Sequence, residues 1–239
     1  MITDIWDIHC HILPGVDDGS QTMTESLEAI DAAVSQGIRH FLVTPHFHPG
    51  RYMVYAETVR VTLGQLARAC IESGRNVTFF PGQECYYFSG LKDLLRKGEV
   101  LTLAGGRYVL LEFDPDVPFN YMKQGFRDLQ SAGYRIVLAH FERYKCLREE
   151  GRLKELKQQD ILLQLNYDML LEKDGVFRRN IWRRYVQDGT VDLRGSDTHG
   201  THFRPIHASE AFQWLESSVD RETINRILYR NVDRILNSV

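Results

Sequence analysis

The chain alternates short apolar runs with longer segments in which apolar residues recur three or four positions apart. Short apolar runs are typical of buried strands, and the wider spacing is typical of helices that cover them. Strands are predicted at residues 6–11, 38–44, 77–81, 107–113, 135–139, 161–165 and 190–195. Helices are predicted at residues 24–35, 54–73, 91–97, 124–132, 147–159, 170–186, 206–217 and 221–231.

This strand and helix order predicts an α/β fold with parallel strands, either an open doubly wound sheet or a closed barrel. The position of the polar residues favours the barrel. Acidic residues and histidines follow almost every predicted strand, and in a barrel all of these strand ends open onto one rim. In an open sheet, only the strands beside the switch point would bring such residues together.

The first strand carries the pattern Asp7-Ile8-His9-Cys10-His11. Residues two apart on a strand share a face, so His9 and His11 should lie side by side, with Asp7 on the same face. A His-X-His pattern alone is weak evidence for a metal site. Asp17 and Asp18 follow in a tight loop, and further candidate ligands follow the later strands: His46, Glu84, Glu112, His140, Asp197 and His199.

Counting Asp18 as the loop ligand, this set holds five histidines and four carboxylates. One catalytic zinc ion needs about three protein ligands, so the surplus favours two or three ions with a bridging carboxylate such as Glu84. Imidazole mixed with carboxylate suits manganese, zinc or iron better than magnesium or calcium. The sequence therefore predicts a centre with several metal ions but does not select among those three metals.

Two arginines come shortly after predicted ligands. Arg143 follows His140, and Arg204 lies five residues after His199. Guanidinium groups bind phosphate oxygens through paired hydrogen bonds, so these positions favour hydrolysis of a phosphate ester. Taken alone, either arginine would fit a surface ion pair better. Their positions directly after ligand histidines favour the functional interpretation. A metal-binding partner protein without catalysis is the alternative from another class.

Composition limits the remaining possibilities. The 239 residues suit one domain spanning 1–239, and no repeat or low-complexity linker divides them. A net charge of −3 argues against nucleic acid as a partner. The chain shows neither a leader pattern nor a long apolar run, and its four cysteines lack paired spacing, so we expect a cytoplasmic protein that is not inserted in a membrane. The sequence does not predict an oligomeric state.

Seven segments together resemble the PHP (polymerase and histidinol phosphatase) superfamily. More narrowly they resemble its bacterial protein-tyrosine phosphatases of capsular and exopolysaccharide operons, the CpsB/YwqE type. The segments are Asp7-X-His9-X-His11, Val16-Asp17-Asp18-Gly19, Thr44-Pro45-His46, Gly82-Gln83-Glu84, Leu111-Glu112-Phe113, His140-X-Glu142-Arg143-Tyr144 and Ser196-Asp197-X-His199 with Arg204-Pro205. The last two segments in this list are the most specific to the CpsB/YwqE type.

The resemblance implies a distorted (β/α)7 TIM-like barrel, the PHP fold, with three metal ions, most often manganese. It implies that Arg143 and Arg204 bind the phosphate, and that the substrate is phosphotyrosine on the Tyr-rich tail of a tyrosine autokinase. A small-molecule phosphatase of the histidinol-phosphate type is the alternative within the superfamily. The implied ligands are His9, His11, Glu84 and Asp197 for the first ion, Glu84, Glu112 and His140 for the second, and Asp18, His46 and His199 for the third.

Three further groups are weaker candidates. His48 lies two residues beyond His46 and could face the site from the same strand. The run from Tyr86 to Phe88 follows Glu84 and could stack on a phosphotyrosine ring, although aromatic residues beside a strand end are more often packing. His40, His202 and His207 have no evident partner in the sequence, so ordinary surface or core positions are expected for them.

Overall fold

Parallel strands form the frame of the protein. The computed structural model describes residues 2–171 and 180–238, and within them ten strands are present. They are β1 (Ile5–Cys10), β2 (Ile38–Val43), β3 (His46–His48), β4 (Tyr52–Met53), β5 (Thr78–Pro81), β6 (Glu84–Tyr86), β7 (Tyr108–Glu112), β8 (Arg135–Leu138), β9 (Leu162–Asn166) and β10 (Leu193–Gly195).

Two of the barrel positions are each made of two strands in line. One sheet has the order β1-β2-β5, and the other has the order β10-β9-β8-β7-β6-β3-β4. Strand β2 passes into β3 across Thr44-Pro45, where proline has no N–H for the ladder, and β5 passes into β6 across Gly82-Gln83. The N–H of Glu84 donates to the carbonyl of Pro45 at 3.2 Å, which links the two interrupted positions.

The barrel closes where the chain beyond β10 returns to the first strand. The N–H of Asp197 donates to the His9 carbonyl at 2.8 Å, and the His11 N–H donates to the Thr198 carbonyl at 3.0 Å. All neighbours around the ring are parallel, and only β4 is antiparallel, forming a hairpin with β3. The predicted α/β barrel with seven positions is confirmed, and its distortion lies in the two interruptions and this short closing contact.

Helices cover the outside of the barrel. They are α1 (Met23–Ser35), α2 (Ala56–Glu72), α3 (Leu91–Lys97), α4 (Phe119–Ser131), α5 (Arg152–Gln158), α6 (Ile181–Gln187), α7 (Ala208–Ser218), α8 (Arg221–Asn225) and α9 (Asn231–Leu236). Short 3-10 turns lie at Leu103–Gly105, Phe141–Arg143, Lys145–Arg148 and Tyr167–Leu170, and a π turn at Arg226–Arg230 joins α8 to α9. Among the described residues, no helix has the length and apolar character required to cross a membrane.

Only the helix predicted at 91–97 has the bounds seen in the structure, and three of the other helix predictions differ for a clear physical reason. The first helix starts at Met23, one residue early, because the Thr22 side chain accepts from the Glu25 N–H as its cap. The predicted helix 147–159 is wrong, since Gly151 at φ +83° separates a 3-10 turn from α5. The single helix predicted at 170–186 is also wrong, because Asn180 caps a new helix; residues 172–179 of that prediction lie outside the described residues.

The buried side chains form two clusters. The smaller cluster fills the barrel interior below the rim, with Ile8, Leu42, Leu110 and Val137 at its centre, and α9 closes it from below. The larger cluster lies between the barrel and the helices. Burial of apolar residues on both sides fixes the strands in place, so the rim offers rigid positions for polar side chains.

Candidate metal centre

A β-bulge in β1 places the first two histidines. Asp7 is opposite Phe41 and Cys10 is opposite Val43, so β1 has one residue more than β2 across this stretch. Ile8 therefore packs inside the barrel while His9 reaches the rim. The predicted strict alternation is wrong for Asp7, whose carboxylate accepts from the Ser196 N–H at 2.9 Å and the Ser196 hydroxyl at 2.5 Å.

Two of the predicted strand ends are strand beginnings. His46 opens β3 and Glu84 opens β6, each directly after the interruption of its barrel position. As expected, His46 and Glu84 come shortly after the strands predicted to end at residues 44 and 81. The extra strands β3 and β6, which these two residues begin, were not predicted. Their short lengths and the flanking proline and glycine conceal them in the sequence pattern.

The structure brings eight of the nine predicted ligand residues, all except His140, together at this rim in three overlapping groups of donor atoms. Within each group, the donor atoms lie within 4.8 Å of one another. The groups are His9, His11, Glu84 and Asp197; His11, Asp18, His46 and His199; and His46, Glu84 and Glu112. The first group equals the predicted first set, and the second adds His11 to the predicted third set.

Glu84 lies at the centre of the arrangement and is fully buried. Its Oε2 is 3.3 Å from Nε2 of both His9 and His11, and 3.0 Å from Nδ1 of His46. Its Oε1 is 2.7 Å from Nε2 of His140. The same His140 nitrogen is 3.4 Å from Glu112, so His140 contacts both carboxylates of the predicted second set. In the corresponding donor group, however, His46 takes the place that the prediction gave to His140.

Three imidazoles are oriented by a hydrogen bond at Nδ1, which leaves Nε2 for the centre. Nδ1 of His9 donates to Gln164 Oε1 at 3.0 Å, and Nδ1 of His11 donates to Asp17 Oδ2 at 2.8 Å. Nδ1 of His199 donates to the Asp197 carbonyl at 2.9 Å. Acceptors behind a ligand histidine are the usual way to fix its tautomer and direction in metal sites.

The donor atoms are arranged in a way that is unfavourable without a bound cation. The Nε2 atoms of His9 and His11 lie 3.2 Å apart, although their Nδ1 atoms carry the ring protons. The two Nε2 atoms therefore direct unprotonated lone pairs at each other, which is unfavourable unless a cation lies between them. Glu84 Oε2 and His46 Nδ1 are buried and lie 3.0 Å apart, but neither atom forms a hydrogen bond within the described residues. A bound cation would also give the buried oxygen and nitrogen a partner.

The acidic side chains of the centre are held in their charged form. Burial opposes ionisation of Glu84, but His9, His46 and His140 hold its pKa well below the usual value. Asp197 is likewise buried, and His9, His11 and Arg143 hold its pKa well below the usual value. Burial also opposes ionisation of Asp18, but His199 and His46 lower its pKa to about 2. Charged carboxylates are the form that binds cations.

Both predicted arginines reach the centre. Arg143 forms an ion pair with Asp197 Oδ2, and Arg204 Nη1 lies 3.7 Å from the same oxygen. Arg204 Nη1 is also 3.4 Å from Nε2 of His199. The two side chains are partly exposed and line a cleft of about 570 Å³ with Asp18, His46 and Glu112. Two cationic groups at the mouth of an acidic centre suit an anionic substrate group.

Unusual backbone conformations mark the same residues. His140, Asp197 and Arg204 have φ values of +30°, +52° and +51° in the left-handed region that favours glycine. Side chains other than glycine, asparagine and aspartate rarely adopt it, and such residues are enriched at functional sites. The strain is consistent with a rim selected for the direction of its side chains.

The comparisons agree with this geometry. Residues 5–237 match the family model of capsular polysaccharide synthesis proteins, CpsB/CapC. The chain belongs to the CpsB/CapC family. Tyrosine-protein phosphatase YwqE of Bacillus subtilis is 34% identical over 231 residues, covering 96% of this chain and 91% of that protein. Tyrosine-protein phosphatase CpsB of Streptococcus agalactiae is 26% identical over 237 residues, covering 96% and 97%.

A solved structure is similar throughout its length. It comes from a study of YwqE from Bacillus subtilis and CpsB from Streptococcus pneumoniae, described there as metal-dependent tyrosine phosphatases. The superposition has a TM-score of 0.87 at 32% identity and covers 98% of this chain and 95% of that one. The resemblance to the CpsB/YwqE type is therefore confirmed, and this CpsB/CapC member carries a candidate centre of imidazoles and carboxylates.

The sequence alone did not identify the residues that support the ligands of this family member. Gln164 and Asn166 are buried on β9, where their spacing of two within an apolar run could have marked them as facing the site. Gln164 orients His9, and Asn166 Nδ2 donates to Asp197 at 3.2 Å. The sequence alone leaves open whether Asp17 or Asp18 is the ligand, and Asp18 was chosen from the family resemblance. In the structure Asp17 lies behind His11 and Asp18 lies among the donor atoms, which supports Asp18.

The weaker candidates differ in whether they lie at the cleft or away from it. Tyr86 lines the cleft, whereas Tyr87 is 5% exposed and packs on Phe113, with ring centroids 5.3 Å apart. Phe88 packs on Phe47. The remaining histidines lie outside the three donor groups: His40 pairs with Asp4 at 3.0 Å, His202 is exposed, and His207 precedes α7.

Proposed function

We propose that this protein is a metal-dependent phosphatase that hydrolyses phosphotyrosine on proteins. One observation carries the proposal. Three overlapping donor groups and two arginines meet at one cleft, where both arginines approach the same oxygen of Asp197. The named relatives of similar length are tyrosine-protein phosphatases, which supports the choice of phosphotyrosine over other phosphate esters.

The residues proposed to hold the cations are the nine of the predicted set: His9, His11, Asp18, His46, Glu84, Glu112, His140, Asp197 and His199. The overlap of the donor groups supports two or three ions, with Glu84 shared between neighbours. The mixture of imidazole and carboxylate suits manganese, iron or zinc. Among these we propose manganese, which is the metal that the resemblance to the family implies. The chelated protein should then lose activity, and manganese should restore it.

When bound, divalent cations supply Lewis acidity at the phosphate and a water nucleophile at neutral pH. Arg143 and Arg204 contribute binding of the phosphoryl oxygens, since a guanidinium group offers paired donors to them. They also offset the charge that develops on those oxygens in the transition state. Their contacts with Asp197 hold both guanidinium groups beside the donor atoms before substrate arrives.

We propose the Tyr-rich tail of a tyrosine autokinase as the physiological substrate. The family's link to capsular polysaccharide synthesis supports a partner in that process. A flexible tail also suits a cleft that opens on the rim of a barrel. We propose a cytoplasmic location, which is supported by four free cysteines, three of them buried.

The test is turnover of a panel of phosphate esters by the manganese-loaded protein. The panel contains a phosphotyrosine peptide from a kinase tail, the matching phosphoserine peptide and histidinol phosphate. We expect the phosphotyrosine peptide to have the highest kcat/KM, and we expect a chelator to abolish its hydrolysis.

Two results would contradict the proposal. Faster cleavage of histidinol phosphate than of the phosphotyrosine peptide would assign the protein to small-molecule phosphatases. Binding of the kinase tail without hydrolysis at any metal loading would indicate a partner protein without catalysis. A Glu84→Gln variant serves as the control for contaminating phosphatases, because the change alters two of the three donor groups.

A further inference from the structure

Three aromatic side chains line the cleft beside the candidate ligands. They are His48 on β3, Tyr52 on β4 and Tyr86 on β6. All three are half-buried, so one side of each ring is available to a molecule in the cleft. None of the three belongs to a donor group.

The strand register places two of these rings one level beyond the ligands His46 and Glu84. His48 lies two residues beyond His46, and Tyr86 lies two residues beyond Glu84, so each shares a face with its ligand. Two residues of strand advance by about 6.6 Å. Because His46 is opposite Glu84 in the parallel pair, the two aromatic residues also lie opposite each other further out.

These three side chains form an aromatic wall that is held by two separate ring contacts. The ring centroids of His48 and Tyr86 are 4.1 Å apart with an angle of 35°. Tyr52 is opposite His48 in the β3–β4 hairpin, and its ring stacks on His46 with centroids 5.6 Å apart at 14°. Nδ1 of His48 donates to the Pro49 carbonyl at 2.9 Å, which fixes the imidazole plane. The wall is therefore ordered before any ligand binds.

We propose that His48, Tyr52 and Tyr86 form a ring-binding subsite that selects aryl phosphates over alkyl phosphates. This inference rests on the proposed function and specifies how phosphotyrosine is chosen. With its phosphate at Arg143 and Arg204, an aryl phosphate extends its ring to the level of the wall. A phosphoserine side chain has no ring at that level, so its peptide backbone would have to enter the cleft.

The test is binding to the manganese-loaded protein, measured by calorimetry with benzylphosphonate and with inorganic phosphate. Neither probe requires turnover. We expect Tyr86→Leu to weaken benzylphosphonate binding by about 3- to 10-fold, the range of a lost aromatic contact, and to change phosphate binding by less than about 2-fold. Tyr86→Phe keeps the ring and should retain wild-type binding.

Tyr134→Leu is the matched control, because Tyr134 is also half-buried but precedes β8 at the opposite end of the barrel. It should change neither affinity. If wild-type protein binds the two probes equally and Tyr86→Leu changes neither, the subsite is refuted. If benzylphosphonate binds preferentially through Tyr86 but no phosphotyrosine peptide is hydrolysed, the subsite stands and the proposed function fails.

Discussion

Asp17 Oδ2 accepts a hydrogen bond from Nδ1 of His11 at 2.8 Å, and both residues are buried. The same carboxylate accepts from the backbone N–H of His46 at 2.9 Å and of Gly19 at 3.0 Å. Asp17 therefore fixes two candidate ligands and the loop between them. Its neighbour Asp18 instead contributes an oxygen to a donor group.

Asp17→Asn should weaken manganese binding by about 10- to 100-fold, the usual effect of losing a carboxylate behind a ligand histidine. The amide removes the negative charge that favours a proton on Nδ1 of His11. Manganese titration of the metal-free protein measures the effect. Asp31→Asn is the control, since Asp31 is exposed on α1 and pairs with Arg75. If Asp17→Asn and Asp31→Asn bind manganese with equal affinity, then Asp17 only stabilises the loop and does not support metal binding.

Gln164→Leu should weaken manganese binding by about 10- to 100-fold, because Gln164 supports two ligand residues at once. Its Oε1 accepts from Nδ1 of His9 at 3.0 Å and from the His140 N–H at 2.8 Å. The measurement is metal content after dialysis against graded manganese. Gln130→Leu is a suitable control, as Gln130 donates to the Gln159 carbonyl outside the centre. Full retention of metal by Gln164→Leu would contradict the role.

Gly195→Ala should destabilise the fold by about 1–3 kcal/mol, the usual cost of forcing a methyl group into a packed site. An added Cβ would lie 2.7 Å from His9 Cβ and 3.2 Å from Gln164 Nε2. Gly64→Ala should have the opposite sign. Gly64 is exposed within α2 with nothing within 4 Å, so alanine should stabilise by about 0.5–1 kcal/mol. Urea unfolding of both variants checks the pair, and two changes of the same sign would contradict it.

The barrel was predictable because its evidence is local and repeated. Apolar runs such as β7 and β8 are buried on both faces, and their ends carry Glu112 and His140 at predictable positions. The convergence of distant residues then follows from parallel topology alone. The helix 91–97 was correct in full because Leu91 and Leu95 bury one face and Gly98 ends it at φ +70°.

The bulge in β1 was not predictable, because alternation along one strand contains no information about its register with β2. The Asp7 carboxylate consequently accepts from Ser196 and from the backbone N–H of His9, and not from the His9 ring. The interruptions before His46 and Glu84 depend on contacts between distant segments. The Glu84 N–H finds its acceptor at Pro45, thirty-nine positions earlier in the chain. The supporting role of Gln164 needed the same long-range information.

The last prediction concerns the arginines. Arg143→Ala should lower kcat/KM for an aryl phosphate by about 10²–10³-fold, because it removes a fixed donor from developing negative charge. Manganese content should be retained, because the substitution removes no metal ligand. It only takes away the guanidinium group that pairs with Asp197. Arg39→Ala is the matched control, as Arg39 is exposed on β2 near the opposite end and donates to the Asn76 carbonyl. Unchanged turnover of Arg143→Ala at full metal content would exclude a role for Arg143 in phosphate hydrolysis.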